Sequence, residues 1–117
     1  MTDLVAFLST GKGTWGHVSG LINGEQWNKV YLLTNDFGKE KFTPNEKTEL
    51  IEINLNGSAE ELKNEILEKL KEKVSGEIAV NFISGSGKEH MALVSALLKL
   101  GVGFRFMVSG QEGVKEL

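Results

Sequence analysis

At 117 residues the chain is the size of one domain, and it can bury a core without metals or disulfides. The absence of cysteine excludes a disulfide framework, a zinc–thiolate site, an iron–sulfur cluster and thiol catalysis, and it fits a reducing intracellular compartment. A net charge of -3 and a pI near 5.4 argue against a duplex DNA binder, which would show a basic stripe. No run nears the roughly 18 apolar residues that span a bilayer, and Asp3 stands where a signal peptide would be basic, so no membrane partner and a cytoplasmic protein are expected.

Taken in chain order, Leu4-Val5-Ala6-Phe7-Leu8 is a continuous apolar run, the pattern of a central parallel strand buried on both faces. The glycine-rich turn Gly11-Lys12-Gly13-Thr14-Trp15-Gly16 comes next, and then a short helix carrying Val18, Leu21 and Ile22 on one face. A second strand is expected at 29–34. The stretch 37–47 has no clean period and is read as mostly loop. Residues 49–55 are β-branched enough for a third strand near the sheet edge.

Ser58-Ala59-Glu60-Glu61 is a capping box, so a helix is expected from there to Val74, with Leu62, Ile66, Leu67 and Leu70 inward. A fourth strand at 77–83 leads into the turn Ser84-Gly85-Ser86-Gly87 and an unusually apolar helix ending at Leu100, with Gly101 as its C-cap. A fifth strand is expected at 103–108. Residues 1–109 then form a single domain and 110–117 a peripheral tail. Strands separated by helices predict an α/β fold, a three-layer parallel sheet of order 3-2-1-4-5. In that order the loops after strands one and four open side by side at the carboxyl edge, where such sheets bind ligands.

Both loops are rich in glycine. The first matches G-x-G-x-x-G after a strand, with Asp36 twenty residues past Gly16, which would suit a dinucleotide such as NAD. Against that reading, the next helix is short and Asp36 falls past the end of strand two. The second, Ser84-Gly85-Ser86-Gly87-Lys88, is not a P-loop: Phe82 stands where the first glycine would be, four residues intervening before the Gly-Lys pair, and Glu89 stands in place of Ser or Thr. It can still form a cradle of backbone amides at a helix start, with two hydroxyls and an ammonium. The same residues also read as a second capping box, Ser86 with Glu89, around a tight turn.

Asn81-Phe82-Ile83-Ser84-Gly85-Ser86-Gly87-Lys88, running into an apolar helix, resembles the signature turn of CRISPR-associated Rossmann-fold (CARF) domains. The resemblance extends over most of the chain, with a Ser/Thr-containing loop after strand one, and departs where the usual Gly-Gly step reads Gly85-Ser86-Gly87. It implies a Rossmann-like homodimer that binds a cyclic oligoadenylate second messenger in CRISPR antiviral signalling. Some members of that family cleave the ring as metal-independent ring nucleases, and no cofactor is implied. Carried over, it assigns Gly11, Lys12, Gly13, Trp15, Asn81, Ser84, Gly85, Ser86 and Gly87 to ligand binding. Lys88, Ser9 and Thr10 would be the catalytic set, Lys88 stabilising charge and Ser9 or Thr10 orienting the ring. Trp15 either stacks on an adenine or packs its helix.

His17 and His90 are the only histidines and the candidates for acid or base. His90 lies in the first turn of its helix, where the positive helix end favours the neutral ring, an acceptor. The spare apolar face of the 91–98 helix is expected to bury itself in a homodimer. Two other functions fit the sequence: a small nucleotide or dinucleotide-binding module, and a non-catalytic adaptor.

Overall fold

The computed structural model describes residues 2–8 and 12–117. Its elements are β1 (Leu4–Leu8), a turn of 3-10 helix (Lys12–Thr14) running into α1 (Trp15–Asn23), β2 (Val30–Thr34), α2 (Asp36–Lys41), β3 (Thr48–Glu52), α3 (Ala59–Leu70), β4 (Glu77–Asn81), α4 (Gly87–Leu100), β5 (Gly103–Gly110) and β6 (Gly113–Glu116). The sheet order is β3-β2-β1-β4-β5-β6. The first five strands pair in parallel, which yields the expected α/β, Rossmann-like architecture with β3 at one edge.

Strand alternation explains why both faces of the sheet need helices. Val5 and Phe7 of β1, Tyr31 and Leu33 of β2, and Ile78 and Val80 of β4 point to one side, where Leu62, Ile66 and Leu70 of α3 and Leu93, Ala96 and Leu97 of α4 cover them. The alternate residues Leu4, Ala6, Leu8, Val30, Leu32 and Ala79 point to the other side and meet Val18, Leu21 and Ile22 of α1. Every residue of β1 is buried, as a central parallel strand requires.

Several stretches differ from expectation. Residues 110–117 are not a loose tail: β5 continues to Gly110, and β6 returns antiparallel against it, with Met107 opposite Glu116 and Gly110 opposite Gly113. The 37–47 stretch opens with a short helix, because the Asn35 side chain caps it by accepting from the Gly38 amide at 3.0 Å. Gly38 is required there, since a Cβ would run into the Thr34 side chain at the end of β2. Strands β3 and β4 stop earlier than the sequence suggested, and α3 ends at Leu70 although Val74 is still buried. Among the described residues no helix is long and apolar enough to cross a membrane.

Candidate functional site

Because β1 lies between β2 and β4, the chain leaves β1 and β4 in opposite directions across the sheet. The carboxyl ends of these two strands are therefore the natural rim for a ligand. Ser9, Thr10 and Gly11 lie outside the described residues, as does the side chain of Lys12. Gly13 and Gly16 are exposed, neither has positive φ, and a Cβ built on either would meet nothing within 4 Å among the described residues. The protein's own packing does not require glycine at these positions. Thr14, at the N-cap of α1, makes no side-chain cap, and its buried hydroxyl has no hydrogen-bond partner among the described residues.

Asn81, expected to touch a ligand, is instead a buried bracket at the end of β4. Its Oδ1 accepts from the Ile83 amide at 3.1 Å, and its Nδ2 donates to the Met107 carbonyl of β5 at 2.7 Å. The second Nδ2 hydrogen points to His17 Nε2, 3.2 Å away on α1. The amide of Ser109 approaches the same ring nitrogen at 3.5 Å. One side chain thus ties together β4, β5, α1 and the turn before α4.

The turn after β4 is held just as firmly. Ser84 is buried, and its carbonyl accepts from His90 Nε2 at 2.8 Å. The His90 ring stacks on Phe82 with centroids 4.6 Å apart and planes 5° from parallel, and Phe7 lies 5.7 Å away. His90 accordingly donates within the fold through Nε2. Gly85 has φ +106, and a Cβ on it would press on the Glu89 carboxylate, the His90 ring and Phe7. Only glycine fits there.

Ser86 and Glu89 complete the expected capping box: the Glu89 amide donates to Ser86 Oγ at 3.3 Å, and the Ser86 amide donates to Glu89 Oε1 at 2.9 Å. The Ser86 amide is therefore taken, while those of Gly85, Gly87 and Lys88 have no acceptor among the described residues. Lys88 does not point at this rim. Its ammonium donates to the carbonyls of Gly57 at 2.8 Å and Leu55 at 3.0 Å, strapping the loop before α3 to the first turn of α4. Two of the three ammonium hydrogens are thereby committed to main-chain carbonyls of the fold. Trp15 packs among aromatics, with its centroid 5.7 Å from Phe42 and 6.1 Å from Phe37, which is the helix-packing alternative.

Beyond Gly85 and Ser86, on the α3 side of the sheet, lies a groove of about 1080 Å³ running down toward β3. Asp36, Glu49, Glu52, Glu65 and Glu89 line it alongside Lys39, Lys69 and Lys73, so carboxylates outnumber ammonium groups. Lys73 is moreover paired with Glu49 at 3.0 Å. This flank suits an anion less well than the rim beside α1 does.

Sequence reasoning missed Thr14 as a hydroxyl without a partner among the described residues, and it missed the partner that fixes His17. The signal for Thr14 was its place inside the glycine-rich turn, while the His17–Asn81 contact spans too many residues to be read from spacing. Compared with known proteins, the chain matches no family model and no curated protein.

Proposed function

We propose that this protein binds a cyclic oligoadenylate across the carboxyl ends of β1 and β4, as a homodimer that places two such rims around one ring. The observation that carries the reading is the open backbone at the rim. Gly13, Gly16 and Gly87 all have ordinary φ, and no atom of the described residues stands within 4 Å of where their Cβ would be, so an approaching phosphate meets main chain there. The amides of Gly85, Gly87 and Lys88, unpaired among the described residues, supply donors. The resemblance of the 81–88 turn to CARF domains names the ligand class. Lys88 serves here as a structural strap, and ring cleavage by it is not part of this proposal.

The dimer rests on an apolar flank. Met91 and Leu98, two turns apart on α4, are 62% and 67% exposed, and Ile83 at 49% and Phe106 at 38% are the exposed apolar side chains of the turn before α4 and of β5. Exposed aliphatic side chains on one helix face are what an isologous interface buries.

Isothermal titration with cyclic tetra-adenylate, cyclic hexa-adenylate, NAD and AMP tests the ligand, with sedimentation equilibrium for the dimer. Chromatography of the incubated ring in EDTA shows whether it is cut or only held. Binding of a cyclic species is the expected result; binding of NAD alone would overturn the reading.

A further inference from the structure

We infer that the outer edge of β3 is a docking strand for an extended segment of another protein, a basic residue followed by apolar ones, which joins the six-stranded sheet as a further strand. This does not rest on the nucleotide-binding reading above. β3 pairs with β2 alone, so half of its main chain faces away from the sheet. The bonds at its two ends fix which half: the Val30 amide donates to the Lys47 carbonyl at 3.0 Å, and the Ile53 amide donates to the Thr34 carbonyl at 2.8 Å. Bonding residues alternate along a parallel ladder, so Lys47, Glu49, Ile51 and Ile53 serve β2 while Thr48, Leu50 and Glu52 turn outward. The fold closes both ends of that outer row. The Thr48 amide donates to the Asn45 carbonyl at 3.2 Å, and the Asn54 amide donates to Glu65 Oε1 at 2.9 Å. Between them the amides and carbonyls of Leu50 and Glu52 have no partner among the described residues, which makes them a template for one more strand.

Charge selects the occupant. The groove of about 1080 Å³ runs along this edge, and helices α2 and α3 contribute to its walls. Its lining carries five carboxylates against three ammonium groups, and one of those, on Lys73, is already paired with Glu49 at 3.0 Å. Glu52 is exposed and has no ionic or hydrogen-bond partner among the described residues. A second copy would set one carboxylate-rich groove against another, and like charges facing across strands oppose pairing. A basic segment meets no such penalty. Antiparallel addition then fixes the pattern: one incoming residue exchanges both main-chain bonds with Leu50, and the residue two before it does so with Glu52. Paired residues share a face of the sheet, so the earlier one is Lys or Arg beside Glu52 and the later one is apolar beside the half-buried Leu50. The residue between them lies over the buried Ile51 and is apolar too.

The probe is a fluorescent peptide, Val-Lys-Val-Val-Lys, titrated by anisotropy with the whole protein in the absence of nucleotide. Saturable binding is expected, and the same peptide with Glu in place of Lys should bind about tenfold more weakly. A methyl group on the fourth amide, which faces Leu50, should cost about tenfold, while one on the third, which faces away, should cost less than about threefold. Glu52→Pro removes an outward amide and spares the bonds of Ile51 and Ile53 to β2, so it should weaken binding about tenfold. Glu52→Lys keeps the main chain and should reverse the preference between the two peptides. In hydrogen exchange, the amides of Leu50 and Glu52 should slow when the Lys peptide saturates the protein. Failure of the Lys peptide to bind, indifference to the fourth methyl group, or unprotected Leu50 and Glu52 amides would each overturn the inference; the methylated peptides decide it even where Glu52→Pro does not fold. A wild-type dimer that a folded Glu52→Pro dissolves in sedimentation equilibrium would make β3 a self-pairing edge and overturn it as well. No arm uses a cyclic oligoadenylate, so a protein that binds no nucleotide loses the proposed function and keeps this one.

Discussion

Helices α1 and α4 begin at the same rim of the sheet, yet their first turns are built in opposite ways. α4 opens with a complete capping box, a buried Ser84, a stacked His90 and a lysine strapped to a neighbouring loop. α1 opens with a 3-10 turn, no side-chain cap, two exposed glycines and a hydroxyl without a partner among the described residues. A helix start that satisfies itself contributes to folding; one that leaves donors unspent leaves them to water or to a ligand. Of the two motifs, the one that looks more like a binding turn in the sequence is the more committed to structure.

Substitutions on the two sides should therefore diverge. Leu93→Ala, which hollows the fully buried face of α4, should destabilise the protein by about 2–5 kcal/mol in a denaturant titration. Lys88→Met should cost about 1–2 kcal/mol through the lost strap while leaving ligand affinity within twofold of wild type; a large affinity loss with little change in stability would place Lys88 back in the site. Ser86→Ala should cost about 1 kcal/mol through the lost cap. Gly16→Ala should do the opposite, raising stability by about 0.5–1 kcal/mol in thermal melts because alanine suits a helix better, while weakening ligand binding. A Gly16→Ala protein that is more stable and binds normally would break the contrast.

The smallest effect concerns acid. Glu61, the return half of the α3 capping box, has its carboxyl held below the usual glutamate range, first by the backbone hydrogen bond from Ser58 and then by the Ser58 side chain. Its contribution is complete above the unfolded value of 4.5 and is lost as pH falls through the lower folded value. The gap in melting temperature between wild type and Glu61→Gln should thus be present at pH 6 and close in strong acid.

Much of the architecture was legible because it is written in local pattern. The run Leu4 to Leu8, the Ser58 and Ser86 capping boxes and the Gly101 C-cap are each contained within a few residues. α2 escaped because six residues carry too little period, and the clue that fixes it, Gly38 pressed on Thr34, is a tertiary contact. β6 escaped because Gly-Val-Lys-Glu has the composition of a tail and gains its meaning only from pairing with β5. Within the site, the turns and their neighbourhood could be read from topology. The destinations of side chains could not: Lys88 reaches back to Leu55 and Gly57, and Asn81 reaches across to Met107, and only the assembled sheet brings those carbonyls within range.

The antiparallel return of β6 has a bearing on solubility. Without it, β5 would offer an unguarded flank of main-chain donors and acceptors carrying Phe104, Phe106, Met107 and Val108 with only Arg105 to interrupt them, a sequence prone to stacking with its own kind. Four residues bearing Lys115 and Glu116 shield that flank. Clipping them should leave a protein that still folds but precipitates.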